Sequence, residues 1–268
     1  LAPGSEHWKD LVPHEPGRPI AGIGVSQDYF VLYYRANGLP QVQIMDLSTG
    51  ITHDLSLDEE DYSVRLQGSR EWDSPILRFS YASLTTPATV YDYDMGTHQR
   101  DFRKQVQILG GFSSERYESR RVFATAADGA QIPISVLYAK GTPLDGSAPL
   151  YLYGYGSYGL IIESDFGSAR LSLVDRGYIF AIAHVRGGMD LGWDWYEDGK
   201  LLNKKNTFTD FIACAEHLIN EGYTTKGRIV ASGGSAGGML MGAVANMRPD
   251  LFKAIIADVP FVDVLNTM

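Results

Sequence analysis

The sequence predicts an all-β region followed by an α/β domain with a mainly parallel sheet. Over residues 1–110, short runs rich in Val, Ile, Tyr and Phe alternate with polar turns, which is typical of β structure. Over residues 111–268, apolar strands alternate with helical segments, as in sheets that are covered by helices on both faces. A glycine-rich turn with a central serine separates one of these strands from the next helix. The expected class is therefore α/β, preceded by a separate β unit.

Composition and charge exclude several classes of partner. The chain has 268 residues, of which 44% are hydrophobic and 21% charged, which is ordinary for one large or two smaller globular domains. Its 32 acidic and 23 basic residues give a formal charge of −9, so nucleic acids and anionic membranes are poor partners. No apolar run approaches the roughly 20 residues that span a bilayer. We therefore expect neither a nucleic-acid nor a membrane partner.

The cysteine content and the first residues bear on the location of the protein. Cys214 is the single cysteine, which excludes an internal disulfide and is consistent with a reducing compartment. Residues 1–10 lack the basic and apolar segments of a signal peptide. These features predict a cytoplasmic location. The chain starts at Leu1 rather than at a methionine, which indicates an internal piece of a longer protein, and its oligomeric state is left open.

The β region contains short strands separated by polar turns, such as Ser-Thr-Gly at 48–50. This pattern is compatible with a sandwich, a barrel or propeller blades. Segments 42–47 and 51–55 predict the paired outer strands of one blade. Similar spacing around 89–94 and 102–108 gives a weak internal repeat. The predicted strands are 29–34, 41–47, 62–66, 76–82 and 89–94.

The α/β region begins with a predicted hairpin and continues with alternating strands and helices. Segments 121–126 and 131–139 flank an Ala-Asp-Gly turn, which is typical of a β-hairpin. In 207–221 the apolar residues recur every three or four positions, which predicts one buried helical face. The predicted strands are 149–155, 178–185, 228–232 and 254–259, and the predicted helices are 166–176, 207–221 and 236–246.

The motif Gly-Gly-Ser-Ala-Gly-Gly at 233–238 is the strongest indication of function. It contains Gly-x-Ser-x-Gly between a predicted strand and a predicted helix, the context of the nucleophile elbow of α/β-hydrolases. Small residues at Gly233 and Gly237 let the strand and helix approach, so that Ser235 projects at the positive end of the helix dipole. The Ala236 N–H is then placed to donate to an oxyanion. These residues predict an α/β-hydrolase fold with Ser235 as the nucleophile.

Three further motifs make this resemblance more specific. Tyr-Leu-Tyr-Gly-Tyr-Gly-Ser-Tyr-Gly at 151–159, Trp-Tyr-Glu-Asp-Gly-Lys at 195–200 and Val-Pro-Phe-Val-Asp at 259–263 accompany the elbow. Together they resemble the prolyl oligopeptidase family of serine peptidases, and most of all its oligopeptidase B branch. The resemblance implies that 1–110 forms the last blades of a β-propeller. It also implies that 111–268 is a catalytic domain truncated at its C-terminal end.

The resemblance implies roles for individual residues of this chain. Ser235 matches the nucleophile, and Ala236 matches the first oxyanion donor through its N–H. Tyr155 matches a tyrosine whose hydroxyl is the second donor, and Tyr158 matches a residue of the substrate site. The implied activity is endopeptidase cleavage of short peptides after Arg or Lys, through an acyl-enzyme on Ser235. Neither a metal nor a cofactor is implied.

Two acids and an arginine are further candidates for substrate binding. Glu163 and Asp165 match a pair of acids that in oligopeptidase B holds a basic residue at P2, the position before the cleaved residue P1. Alternatively, they are solvated acids near a helix start. Arg186 begins Arg-Gly-Gly-Met-Asp, where the family usually has Arg-Gly-Gly-Gly-Glu, so Met189 leaves the course of this loop open. Arg186 is expected either to orient the substrate backbone or to form a structural ion pair.

The sequence lacks the expected partners of the serine. A hydrolase triad runs Ser, then Asp or Glu, then His along the chain, and none of the 6 histidines follows Ser235. The resemblance places the triad Asp and His, and the acids of the P1 pocket, beyond Met268. His184 and His217 are expected to be packed or surface histidines, and Cys214 a small core residue. The 268-residue chain alone is therefore expected to be inactive.

Three other functions stay open from the residues alone. A prolyl-specific oligopeptidase is one, and a non-catalytic hydrolase-like module without the later Asp and His is another. The third is an NADP-binding oxidoreductase, because 154–159 also fits Gly-x-Gly-x-x-Gly after a strand, with Arg186 facing a 2′-phosphate. This function is disfavoured because a helix should open inside the glycine motif, whereas residues 160–165 intervene.

Overall fold

Two four-stranded antiparallel sheets make up the first region of the chain. The structure, a computed structural model, describes residues 4–69 and 71–267. In both sheets neighbouring strands are consecutive in sequence, as in the blades of a propeller. The first sheet contains β1 (Ile20–Val25), β2 (Tyr29–Ala36), β3 (Leu39–Asp46) and β4 (Thr52–Asp54), and the second contains β5 (Ser63–Gln67), β6 (Ile76–Ala82), β7 (Thr89–Asp94) and β8 (Gln99–Gln105).

The two sheets share one apolar core. Val42 and Ile44 of β3 belong to the same buried cluster as Val64 of β5 and Phe79 of β6. Along most of β3, buried residues alternate with half-buried ones, because successive side chains of a strand point to opposite faces. A shift of one residue would expose the inward set, so burial fixes the register of the strand.

Most strands of the first region form where they are predicted. β2, β3, β5, β6 and β7 overlap the expected segments, and β3 pairs with β4 as the predicted outer hairpin. β8 begins before the expected segment 102–108. β1 is not predicted, because its sequence Ile-Ala-Gly-Ile-Gly-Val contains two glycines and its residues are partly or fully exposed.

A six-stranded mixed sheet organises the second region. Its strands are β9 (Tyr117–Thr125), β10 (Gln131–Ala139), β11 (Leu150–Gly154), β12 (Ile179–Ala183), β13 (Ile229–Gly234) and β14 (Phe252–Asp258). β9 and β10 form the predicted antiparallel hairpin, and β10 is also antiparallel to β12. The other neighbouring pairs are parallel, and the spatial order is β14-β13-β11-β12-β10-β9.

Helices cover both faces of this sheet. The helices of this region are α1 (Ser168–Val174), α2 (Trp193–Glu197), α3 (Lys205–Asn220), α4 (Ala236–Met247) and α5 (Val264–Thr267). Phe211 of α3 and Leu240 of α4 are buried in the core on one face. Leu171 and Val174 of α1 pack with Phe180 of β12 on the other. β12 is buried throughout, because its alternate residues belong to the two cores.

The predicted α/β class, preceded by a β unit, is confirmed with local differences. α1 is shorter than the predicted segment 166–176, because Gly167 before it has an extended backbone. α2 is not predicted, since five residues are too few to show a helical period. None of the helices in the described ranges has the length and apolar character needed to cross a bilayer.

The parallel strands bring separate motifs to one edge of the sheet. β11, β12, β13 and β14 run in the same direction, so their carboxyl ends lie together, where open α/β sheets bind ligands. Tyr155 directly follows β11, and Ser235 directly follows β13. These strands are neighbours, with Tyr153 paired to Ser232. The two glycine-rich motifs therefore meet in space.

Candidate active site

The backbone is strained at Ser235, in the turn between β13 and α4. Its φ of 55° and ψ of −116° lie in a region that residues with a side chain rarely occupy. The Ser235 N–H donates to the Asp258 carbonyl at 2.9 Å. The Ser235 carbonyl accepts from the N–H groups of Gly238 and Phe261, at 2.9 Å and 3.0 Å. The side chain is exposed, which is the arrangement predicted for a nucleophile elbow.

Three glycines make this turn sterically possible. A Cβ on Gly233 would lie 2.5 Å from the Gly237 carbonyl oxygen. A Cβ on Gly237 would lie 2.8 Å from the Gly154 oxygen, and one on Gly238 would lie 2.6 Å from the Pro260 Cα. Real Cβ atoms do not come this close to other heavy atoms, so β11, β13 and α4 can approach one another only because these positions have no side chain. The predicted steric role of Gly233 and Gly237 is confirmed.

The predicted oxyanion donors lie beside the elbow. Ala236 is the first residue of α4, so its N–H has no acceptor within the helix. Tyr155 Cδ2 lies 3.3 Å from the position that a Cβ on Gly237 would take, so the ring packs against the elbow. A helix N-terminus and a phenol are both groups that stabilise a developing negative charge.

A cleft of about 450 Å³ opens next to the elbow. Ala236 and Met239 line it from α4, and Phe261 lines it from the segment after β14. Tyr158 lines it from the loop after β11. Lys204, which immediately precedes α3, lines it as well. The structure thus brings Tyr158, predicted to contact substrate, into the same cleft as Ala236.

Two family profiles match the chain. The prolyl oligopeptidase family matches residues 164–268, and the N-terminal beta-propeller domain of prolyl oligopeptidase matches residues 2–106. The chain belongs to the prolyl oligopeptidase family. The predicted α/β-hydrolase fold preceded by propeller blades is confirmed by these matches together with the observed sheets.

Relatives within the prolyl oligopeptidase family resemble almost the whole chain. Dipeptidyl aminopeptidase BI of Pseudoxanthomonas mexicana is 44% identical, and protease 2 of Moraxella lacunata is 41% identical, each over 97% of this chain. The structure of oligopeptidase B from Trypanosoma brucei with covalently bound antipain, in a closed form, has a TM-score of 0.87 at 45% identity over 95% of the chain. The chain spans 36% of the first relative, and 37% of the second relative and of the oligopeptidase B structure.

Glu163 and Asp165 lie where the catalytic region contacts the propeller blades. The two oxygens of Glu163 accept from Arg35 of β2, at 2.8 Å and 3.5 Å. Asp165 accepts from Arg65 of β5 at 2.5 Å and from the Ser63 hydroxyl. The Glu163 and Asp165 side chains are 24% and 37% exposed. In this structure neither is an unpaired solvated acid, and both bind guanidinium groups of the chain itself.

Arg186, expected either to orient the substrate or to form a structural ion pair, contacts two acids of the chain. Its side chain is 6% exposed, and Nε and Nη2 donate to the two oxygens of Asp210 on α3, at 2.9 Å and 2.6 Å. Nη1 donates to Asp128 in the β9–β10 turn at 2.6 Å. These hydrogen bonds, first of all that to Asp210, raise the pKa of Arg186 above its ordinary value. Arg186 therefore forms the structural ion pair, which was the other expected role.

The contacts of Arg186 and the course of the glycine-rich loop argue against the oxidoreductase alternative. Three of the five N–H groups of Arg186 donate to Asp210 and Asp128, and its side chain is 6% exposed, so the guanidinium is held by acids of the chain itself. No helix opens inside the glycine motif at 154–159, because the next helix, α1, begins at Ser168. The loop therefore lacks the helix N-terminus that a dinucleotide-binding site uses.

His184 follows β12 but is not a partner of Ser235. Its Nδ1 is 3.0 Å from Asp190 Oδ1, and its Nε2 is 2.7 Å from the Ser135 hydroxyl, all in buried positions. In residues 4–69 and 71–267, no histidine or carboxylate forms a hydrogen bond with the Ser235 hydroxyl. Beside Ser235 and the predicted oxyanion donors, the described residues therefore place no general base.

Lys204 is a candidate functional residue that the sequence does not predict. It is one of two consecutive lysines before a helical segment, a pattern typical of a solvated helix start. In the structure its Nζ donates to the Gly156 carbonyl at 2.5 Å and to the Ser157 hydroxyl at 2.8 Å. Burial lowers the pKa of Lys204 to about 8. No pattern distinguishes it from its neighbour Lys205, whose side chain is exposed.

Proposed function

We propose that the full-length protein is a serine peptidase that hydrolyses short peptides after Arg or Lys through an acyl-enzyme on Ser235. The observation that carries the proposal is the strained, exposed serine between β13 and the N-terminus of α4. The names of its relatives support it: dipeptidyl aminopeptidase BI, protease 2 and oligopeptidase B. The activity is proposed for the whole protein, because the chain spans 36–37% of these relatives.

The reaction follows from the groups at the elbow. The Ser235 hydroxyl attacks the carbonyl carbon of the scissile peptide, and its proton passes to a general base. We place this base and its acid outside the described residues. The carbonyl oxygen becomes an oxyanion that accepts hydrogen bonds from the Ala236 N–H and the Tyr155 hydroxyl. The amine leaves with the proton, and water then hydrolyses the acyl-enzyme and restores Ser235.

A fluorophosphonate probe tests the nucleophile, because it reacts with activated serines. The full-length protein is expected to be labelled rapidly at Ser235, and Ser235→Ala is expected to lose both labelling and peptide hydrolysis. Turnover at the wild-type rate in Ser235→Ala would contradict the proposal. The 268-residue chain alone is expected to react slowly, since its described residues lack a base. Fast, stoichiometric labelling of that chain would show that a base lies within it.

We further propose that Glu163 and Asp165 favour a second basic residue at P2. Carboxylates two positions apart can converge on one guanidinium group, and here each already accepts from an arginine. A P2 arginine would compete with Arg35 and Arg65 for the same oxygens. Recognition at P2 and the contact with the propeller are therefore expected to be linked.

The double substitution Glu163→Gln and Asp165→Asn tests this recognition. Substrates with Arg at P2 are expected to lose roughly 1–3 kcal/mol of transition-state binding, whereas substrates with Ala at P2 change little. Arg35→Met is a matched control, because it breaks the Glu163 part of the same contact with the propeller but leaves both acids in place. An equal loss for Arg and Ala substrates in the double variant would contradict the assignment.

A second candidate function is the release of dipeptides from the amino terminus, which the 44% identity to dipeptidyl aminopeptidase BI favours. In that case the two acids would hold the α-ammonium group of the substrate. An Arg-Arg substrate with a blocked amino terminus separates the two activities. An endopeptidase cleaves it, whereas a dipeptidyl aminopeptidase requires the free amine.

Large folded proteins are expected to resist both activities, because the propeller of this family caps the active site.

A further inference from the structure

Lys204 lies beside the elbow without a carboxylate partner in the part of the chain that the structure describes. Lys200, which lines the same cleft, differs in that it forms an ion pair with Glu197 at 2.5 Å. Burial lowers the pKa of Lys204 to about 8, and no charged neighbour offsets this effect. A cation taken out of water without a counter-charge destabilises a fold. Its retention beside the nucleophile therefore requires a compensating interaction.

That interaction is with the loop that carries Tyr155. The Lys204 Nζ donates to the Gly156 carbonyl at 2.5 Å and to the Ser157 hydroxyl at 2.8 Å. Gly156 has a φ of 67°, a conformation that side chains disfavour. Its carbonyl is packed so closely that a Cβ on Gly187 would lie 2.1 Å from the oxygen. The Gly156–Ser157 peptide group, one residue after Tyr155, is thus held by an ammonium group and by close packing.

We propose that Lys204 is a positioning residue for the reaction at Ser235, which holds the Gly156 carbonyl and the Ser157 hydroxyl and thereby aims the Tyr155 hydroxyl at the oxyanion. The inference rests on the proposed peptidase function. A donor to an oxyanion has to be held within about 0.5 Å of its productive position, and its supporting contacts provide that precision.

The position of the charge agrees with this role. Lys204 lines the same cleft as Ala236, whose N–H is the other proposed oxyanion donor. Preorganised positive charge in a site shielded from water stabilises negative charge as it develops in the transition state. Groups that serve such sites are often unfavourable for folding, and this trade-off explains a half-buried lysine that no carboxylate of the described residues neutralises.

Substitutions in the full-length enzyme test the role, with a matched control one residue away. Lys204→Met removes both the donor and the charge, and it is expected to lower kcat about 10- to 100-fold with little change in KM. Lys204→Arg, which keeps both features, is expected to recover part of the loss. Lys205→Met removes the neighbouring exposed charge and is expected to leave kcat unchanged.

Stability and pH dependence separate positioning from mere packing. Below a pH of about 8 the wild-type fold holds a half-buried charge without a carboxylate partner among the described residues, so Lys204→Met and Lys204→Gln are expected to be at least as stable as wild type. Lys204→Gln keeps a donor without the charge. Its deficit in kcat is expected to narrow as the pH rises through about 8, because the wild-type side chain then loses its proton.

Labelling by the fluorophosphonate probe distinguishes failure of this inference from failure of the peptidase proposal. Absence of label in the wild-type enzyme overturns the peptidase proposal and this inference together. Given label at Ser235 in wild type, a Lys204→Met variant with wild-type kcat overturns the positioning role alone. The positioning role is also overturned if kcat of the Lys204→Met variant falls only in parallel with its Tm. Label at Ser157 would also overturn it, because Ser157 and Lys204 would then be a nucleophile and base of their own.

Discussion

Two glycines of α4 differ in what surrounds them. A Cβ on Gly237, in the first turn, would lie 2.8 Å from the Gly154 oxygen and 3.3 Å from the Tyr155 ring. A Cβ on Gly242, in the middle of the helix, would have its nearest neighbour at 3.7 Å, on Val262. At the scale of the residue, the first glycine is therefore required by close approach of the backbone, and the second is not.

Alanine substitutions at these positions are expected to have opposite effects. Gly237→Ala should destabilise the protein by about 1–3 kcal/mol, because the added methyl separates α4 from β11. It should also lower kcat, since the elbow and Tyr155 move apart. Gly242→Ala should stabilise by about 0.5–1 kcal/mol, the usual gain when glycine is replaced inside a helix. Urea denaturation and peptide hydrolysis measure both, and equal effects at the two sites would contradict the steric assignment.

The single cysteine is expected to be unreactive in the native protein. Cys214 lies on α3 with no exposed surface, and burial raises the pKa of its thiol well above the ordinary value. The nucleophilic thiolate is therefore scarce, and reagents have no access. A thiol reagent such as 5,5′-dithiobis(2-nitrobenzoic acid) should react only after unfolding in urea. Rapid stoichiometric reaction without denaturant would show that α3 is not packed as observed.

At the scale of elements, Arg186 connects three parts of the catalytic region. It follows β12, pairs with Asp210 of α3 and reaches Asp128 in the β9–β10 turn. Asp210 has no exposed surface, so its charge depends on this arginine. An ion pair of this kind is costly to break from one side, because the remaining charge is left buried.

Arg186→Met is expected to destabilise the protein by about 3–5 kcal/mol while leaving KM for peptide substrates unchanged. Calorimetry and steady-state kinetics give the two quantities. The matched control is Arg176→Met, which removes an exposed arginine of the catalytic region and should change stability by less than about 0.5 kcal/mol. A raised KM with unchanged Tm in Arg186→Met would restore the substrate-binding role.

At the scale of the whole molecule, a chain of buried polar groups joins the propeller to the catalytic sheet. The propeller contributes Asp61, which accepts from Arg121 at 3.1 Å and from the Ser164 hydroxyl at 2.8 Å. The series of hydrogen bonds continues from Ser164 to Ser135, then to His184 and then to Asp190. The bonded oxygen and nitrogen atoms are 2.7–3.0 Å apart. Because Ser164 lies between Glu163 and Asp165, three consecutive residues hold the two regions together.

Ser164→Ala tests this connection. It removes a donor from a buried carboxylate, and it is expected to reduce stability by about 1–3 kcal/mol. Ser168→Ala, at an exposed position in the same segment, should have an effect below about 0.5 kcal/mol. Thermal unfolding of the full-length protein compares the two variants. Equal Tm values would show that the polar chain adds nothing to the contact between the regions.

Elements with a strong apolar period are predictable from the sequence to within a few residues. The predicted segments 207–221 and 236–246 correspond to α3 (Lys205–Asn220) and α4 (Ala236–Met247). β1 and α2 escape prediction, because one contains two glycines with little burial and the other is a single short turn of helix. The structure places Tyr158, a predicted substrate-binding residue, in one cleft with Ala236, whereas nothing in the sequence marks Lys204.

The sequence by itself determined the two structural classes and the elbow, on which the proposal of Ser235 as the nucleophile depends. These depend on short-range rules: the period of apolar residues along a strand or helix, and the need for glycine where a strand turns sharply into a helix. Only the tertiary structure decided what the charged side chains do. Arg35 and Glu163 are 128 residues apart in sequence, and Arg186 and Asp128 are 58 apart. Whether a charged group binds substrate or another part of the chain depends on partners that only folding brings within hydrogen-bond distance.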